Sequence, residues 1–492
     1  MDEATDPRKD IKAEDIQTYI DKLTDISLQS KRDGELLWGR IQGTKYERQA
    51  SEWIEQELKS FGFKDVRKDK IPARRLLWRL DELALKIAQA PSFEKGESYT
   101  FENALTAYQS ANTPAGGIEA EVIYVGEGTA AELQGRDLTG KIALVRSRGL
   151  PGSLFHSGRT AFSRVVAGDY GKPAGVIMWS DVPGASQVAA RVGSASGGEI
   201  IGLAAPWTTI SNADGYYLRK LLDRATPKKP VKVRLNVQGA EEGGDVRYSH
   251  NVYGVIPGKS GKYFLHLVHL DAFLYGIHCN AGSVAMNMAL ANHYAKVPEE
   301  QREHGQIFLF VGDHENPGVG ATDIFRDANK DLVDNLLMIL RPEKIGMVQR
   351  IDEGWVNAAT NMPHPGLLMI TNRSPLLLDL FKQAATNYSI ASGDFYYTDP
   401  AADEVNFHPP YYDGGIISAG WATGTRYYHS TADAELNLIS SKEVEKMARA
   451  HAFVIDSLAG KTKADLEKGA VPYGSQKSIY QSDLLKMMFG NH

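Results

Sequence analysis

Two short apolar runs each end in residues that bind metals or move protons, and this constrains the fold more than any other feature of the chain. The first, Tyr263-Phe-Leu-His-Leu-Val268, runs straight into His269-Leu270-Asp271. The second, Ile307-Phe-Leu-Phe-Val311, leads to Asp313-His314-Glu315 and a Gly-bearing turn ending at Gly320. Apolar runs of this length read as buried strands. Between them lie the loop Gly276-Ile-His278-Cys279-Asn280-Ala-Gly282 and a segment from Ser283 to Lys296 with apolar residues at helical spacing. Strand, helix, strand implies an open α/β sheet, and in such sheets sites form at the C-terminal ends of the strands. Six of the thirteen histidines (His266, His269, His278, His293, His304 and His314) fall between residues 262 and 320, so function is expected there. His266 points to the strand face opposite residues at odd spacing and is expected to be structural.

At 492 residues the chain exceeds the usual size of one hydrophobic core, which predicts two domains. Apolar spacing predicts helices over 14–28 and 47–61, a strand near 65–71, then strand and loop over 76–102. From 106 the texture becomes β-rich and Gly-rich, with strands expected at 119–126, 141–146 and 174–179, then a last strand near Pro206 and a helix over 214–222. Gly239-Ala-Glu-Glu-Gly-Gly-Asp245 reads as an acidic link. Beyond it come a strand at 336–340, a helix near 375–388, a strand at 415–419 and a closing helix over 443–458. The block 106–245 is therefore expected as an insert within one α/β domain made of 1–105 and 246–492.

Charge and cysteine usage exclude several classes. The net charge of −6 is spread without a basic block, so neither nucleic acid nor an anionic membrane is an expected partner. No apolar run approaches the roughly 18 residues needed to cross a bilayer. Cys279 is the only cysteine, which excludes an intrachain disulfide. The first residues lack the charged-then-apolar plan of a signal peptide.

The motifs taken together carry a resemblance. His269-x-Asp271, a Gly-containing loop into a helix, an acidic pair before a Gly-rich turn, Glu343-Lys-Ile-Gly346 and Tyr428-His429 occur in the order seen in the zinc aminopeptidase and glutamate carboxypeptidase family, which residues 10–460 resemble. The inserted block resembles the protease-associated domain, through Asp137-Leu-Thr-Gly-Lys-Ile-Ala-Leu-Val145 and Ala174-Gly-Val-Ile177. The resemblance implies a mixed β-sheet flanked by helices and two metal ions bridged by an aspartate, with a glutamate as general base. It places His269, Glu315, Glu343 and His429 as metal ligands, Asp271 as the carboxylate that orients His269, and Tyr428 as a hydrogen-bond donor to the substrate carbonyl. It also favours export, to the periplasm or beyond, if a leader was removed; without one a cytoplasmic location is expected.

Two positions depart from that pattern. Cys279, with His278 before it, stands at the bridging aspartate, and His314 stands at the base glutamate. A neutral imidazole offers one lone pair, so His278 suits one ion, while Cys279 bridges only as a thiolate. Glu315 and Glu343 neutralise one divalent ion, not two, so a single-metal site is expected, or one tight site and one weak. Nitrogen, oxygen and sulfur donors suit zinc, and imidazole with carboxylate also suits iron, manganese or copper. His314 is expected as general base or further ligand. Phe395-Tyr396-Tyr397, Phe407-His408, Tyr411-Tyr412 and Tyr427 fit loop packing or a wall for an apolar substrate group. The expected activity is metal-dependent hydrolysis of an amide or peptide bond in a peptide or small molecule. The alternatives are a repurposed hydrolase or lyase for a small non-peptide compound, and a non-catalytic binding protein.

Overall fold

The computed structural model describes residues 5–72, 78–147, 168, 170–182, 184–189, 205–241, 248–315, 320–353, 356–393, 405–408, 412–423, 427 and 429–471. An eight-stranded mixed sheet lies at the centre. Its strands, in spatial order, are Ser392–Gly393, Gly366–Ile370, Ile417–Ala422, Leu336–Leu340, Tyr263–His269, Gly305–Val311, Tyr248–Ile256 and Asp65–Pro72. The four from Ile417–Ala422 to Gly305–Val311 run parallel, and the outer pairings with Gly366–Ile370, Tyr248–Ile256 and Asp65–Pro72 are antiparallel. Parallel strands need cover on both faces, which is why these read as continuous apolar runs. Phe264, Val268, Phe308 and Phe310 pack under the helices Ala13–Arg32, Lys45–Ser60, Gly282–Lys296 and Ser441–Ser457. Leu265, Leu267, Ile307 and Leu309 face the other way, against Ala321 and Phe325 of the helix Gly320–Ala328. His266 lies among the first set, its ring stacked on Phe308 at 4.2 Å and its Nε2 2.8 Å from Gln306 Oε1, and burial pushes its pKa down to about 3.

A second eight-stranded sheet has the order Tyr99–Thr100, Trp78–Gln89, Lys232–Glu241, Ile118–Tyr124, Ile142–Ser147, Gly175–Ser180, Trp207–Ile210, Leu105–Thr106. It begins upstream of the boundary expected at 106, because Trp78–Gln89 pairs along its length with Lys232–Glu241. The acidic link expected at 239–245 is corrected in part: Gly239 and Glu241 lie within that strand. Gly239 is there because the Trp78 ring lies over it, where an added Cβ would come within 2.2 Å of Trp78 Cζ2. Among the described residues, no helix is long and apolar enough to cross a membrane.

A two-stranded pairing of Gly39–Arg40 with Ala272–Phe273 ties the first helices to the loop after Asp271. Gly39 has φ +135°, and an added Cβ would lie 2.5 Å from the Ala272 carbonyl oxygen and 2.7 Å from the Leu274 nitrogen. Backbone cannot give way there, so Gly39→Ala is expected to cost about 2 kcal/mol or more. A lowered thermal unfolding midpoint checks this; an unchanged one would contradict it.

Candidate metal centre

The four parallel strands deliver their following residues to one edge of the sheet. His269 ends its strand, Glu315 follows Val311 by four residues, Glu343 follows Leu340 by three, and His429 follows Ala422 by seven. Glu343 is held by sheet-like pairing, its N–H donating to Trp421 O at 3.0 Å and its carbonyl accepting from Thr423 N at 3.0 Å. His429 is held from the segment that follows the strand Gly175–Ser180: Ala189 N–H donates to its carbonyl at 2.8 Å, and Val188 bridges Ser430. Its φ of +52° is left-handed, a strained backbone for a residue with a Cβ. That strain turns the ring towards Glu315, with Nε2 2.8 Å from Oε1.

Cys279 sits in the middle of these residues. Its buried Sγ donates to Glu315 Oε1 at 3.2 Å and lies 3.6 Å from His269 Nε2. Donor atoms of Cys279, Glu315 and His429 lie within 4.8 Å of one another, and so do those of His269, Cys279 and Glu343. A third such group is His269, His314 and Glu315. Cys279 thus stands between two candidate cation positions, where the resemblance implies a bridging aspartate. Burial pushes its thiol up to about 12, with Lys344 opposing, so the sulfur carries a proton at neutral pH until a cation displaces it.

The loop that aims Cys279 is built around Arg40 and Asp433. Arg40 is fully buried, and its guanidinium donates to the carbonyls of Leu23, Leu270, Tyr275 and Gly276. Burial brings its pKa down to about 10, so it remains charged. Gly276 turns left-handed at φ +61°, where a Cβ would strike Ala272 at 2.3 Å. Asp433 Oδ2 then accepts from the N–H groups of Ile277 and His278, at 2.9 and 3.2 Å.

Asp271 fixes the other side. Its Oδ2 accepts from the backbone N–H groups of His314 and Glu315, at 3.1 and 2.8 Å, and its Oδ1 lies 3.3 Å from His269 Nδ1. His269 Nδ1 bonds the Asp271 backbone carbonyl at 3.0 Å, so the main chain of Asp271 sets the ring while its carboxylate sets the turn that carries His314 and Glu315. The half-buried His314 ring stacks on His269 with centroids 4.0 Å apart and planes 23° from parallel. Burial opposes a charge on His269, but Glu343 and Cys279 raise its pKa well above the ordinary value.

Glu343 has closer company than the sequence suggested. Lys344 is 5% exposed, and its ammonium bonds Glu343 Oε1. Asn280 Nδ2 donates to Glu343 Oε2 at 2.9 Å, and Arg341 Nη2 lies 3.6 Å from the same oxygen. Burial works against a charge on Glu343, yet Lys344, His269 and Arg341 hold its carboxyl well below the ordinary range. All four residues of the segment 341–344 are buried.

His278 is 1% exposed but joins none of the three donor groups among the described residues, and neither ring nitrogen forms a hydrogen bond there. Burial, aided by Lys344, brings its pKa down to about 3. Tyr428 lies outside the described residues, as do Phe395, Tyr396, Tyr397 and Tyr411. Sequence reasoning missed Lys344, Asn280, Arg40 and Asp433. For Lys344 a signal existed, since a lysine stands next to a candidate ligand between a strand and Gly346.

The donor set of Cys279, Glu315 and His429 fits a divalent ion such as zinc: sulfur, oxygen and nitrogen, all buried. No family model and no curated protein matches the chain. Solved structures do match in shape. A peptidase M28 precursor from Shewanella amazonensis superposes with a TM-score of 0.66 at 17% identity, over 94% of this chain and 99% of that one. A zinc aminopeptidase from Bacillus subtilis gives 0.60 at 17% identity, over 95% and 97%. An aminopeptidase from Aneurinibacillus sp. strain AM-1 gives 0.55 at 19% identity, over 94% and 95%. The chain therefore has the aminopeptidase-like α/β fold of these three proteins, with a sulfur donor at the centre of its candidate metal site.

Proposed function

We propose that the chain is a metal-dependent hydrolase of an amide or peptide-type bond, and that a single divalent ion, zinc by its donor set, is held by Cys279, Glu315 and His429. The observation that carries this reading is the approach of these three donors, from distant parts of the sequence, to within 4.8 Å of one another. A bound divalent ion there supplies Lewis acidity towards a carbonyl oxygen and acidifies coordinated water.

The chain's own residues supply the rest. His314 stands beside Glu315 with its ring on His269, within the third donor group, and a neutral imidazole there accepts a proton from water and returns it to the leaving nitrogen. Asp271 keeps that geometry by holding the two backbone N–H groups. A histidine base instead of a carboxylate leaves one fewer negative charge at the site.

The test compares chelated and zinc-reconstituted protein on a panel of amino acid anilides, short peptides and non-peptide amides. Activity is expected to vanish on chelation and return with zinc. His314→Ala should lower kcat by a factor on the order of 10² to 10⁴ while zinc content stays the same. Wild-type protein that takes up no metal would overturn the reading in favour of a binding protein. Bound zinc with turnover only of the non-peptide compounds would move the substrate class.

A further inference from the structure

We infer that the Lys344 ammonium fills the electrostatic place of a second metal ion, so that Glu343 is the counter-ion of a lysine and not a ligand. This rests on the single-ion reading above and extends it to the other half of the centre. The group His269, Cys279 and Glu343 has the donors to hold a cation, with His269 Nε2 3.6 Å from Cys279 Sγ and 3.4 Å from Glu343 Oε1. What distinguishes it from the first group is that a positive charge already sits within it.

Both carboxylate oxygens of Glu343 are committed. Oε1 bonds the Lys344 ammonium, and Oε2 accepts from Asn280 and faces Arg341. A metal at this position would compete with Lys344 for the same oxygen, at a site where low polarity strengthens the repulsion between the two cations.

The placement of Lys344 is costly in two independent ways. Its side chain is buried, against the strong preference of lysine for water. Its backbone is left-handed at φ +55°, where a residue with a Cβ is strained. Asn280 holds this conformation, accepting the Lys344 N–H on Oδ1 at 3.0 Å while its Nδ2 donates to Glu343. One amide side chain thus fixes both members of the ion pair and adjoins Cys279 in sequence. Strained backbone of this kind clusters at functional sites.

Zinc stoichiometry of the full chain, read by native mass spectrometry at saturating zinc, tests this without reference to activity. Wild type is expected to bind one ion and Lys344→Met two, because removing the ammonium frees Glu343 Oε1. Lys344→Arg should remain at one. Two ions in wild type, or one in a folded Lys344→Met, would overturn the inference. No ion in wild type would instead sink the proposed function. Should Lys344→Met fail to fold, a wild-type crystal grown with zinc decides: an anomalous peak within bonding distance of Glu343, with Lys344 displaced, overturns the inference, and Lys344 still on Glu343 with the peak elsewhere supports it.

Discussion

Cys279→Ala is expected to lower zinc affinity by more than about a hundredfold, a larger loss than is typical for removing a residue that merely supports a ligand. The substitution takes away the sulfur that two candidate cation positions share. It also removes a proton from the binding equilibrium. The buried thiol is held up at about 12, so at neutral pH a metal binds only by displacing its proton. Lower pH therefore weakens wild-type binding by about tenfold per unit from this group alone, and higher pH strengthens it until the thiol is ionised. In Cys279→Ala that contribution to the slope disappears. Competition with a chromogenic chelator between pH 6 and 9 measures both effects. Equal affinities and equal slopes in the two proteins would place the metal elsewhere.

Asp271→Ala is the second large effect. The carboxylate accepts two buried N–H groups, from His314 and Glu315, and stands 3.3 Å from His269 Nδ1. Without it both amides lose their acceptor, at about 1–3 kcal/mol each, so a loss of about 2–6 kcal/mol in stability is expected. Zinc affinity should fall about 10- to 100-fold as Glu315 loses its fixed position. Asp271→Asn keeps one acceptor oxygen and should be milder on both counts. Thermal unfolding and zinc titration of the two variants check the order.

The centre's framework could be read from the sequence because it depends on strand ends. Buried parallel strands are continuous apolar runs, so His269 and Glu315 announce themselves by following them. The choice between His278 and Cys279 could not be read, because adjacent residues in an irregular loop point in directions set by its dihedrals. Here φ/ψ at Cys279 are −124° and 88°, and the loop is anchored from afar by Arg40 and Asp433. Lys344 escaped for a different reason. The charge count behind the single-ion expectation used only the acidic groups, on the usual premise that lysine is solvated. Pairing of Glu343 with Trp421 and Thr423 draws the segment into the sheet and buries its neighbour.

The extent of the second sheet was obscured by its glycines. Gly239 in an acidic run looks like a linker, but its missing Cβ admits the Trp78 ring and lets Lys232–Glu241 continue. That pairing moves the sheet's beginning to Trp78, well before the change in composition near 106. The segment at Val188 and Ala189, which follows the strand Gly175–Ser180 of that sheet, supports the left-handed turn at His429.

Anomalous scattering at the zinc edge from a crystal of the wild-type chain tests the central claim most directly. The geometry predicts one peak among Cys279, Glu315 and His429, at about 2.3 Å from the sulfur and about 2.0–2.2 Å from the nitrogen and oxygen donors. A fully zinc-equilibrated crystal with no peak there, or with its peak away from Cys279, would contradict it.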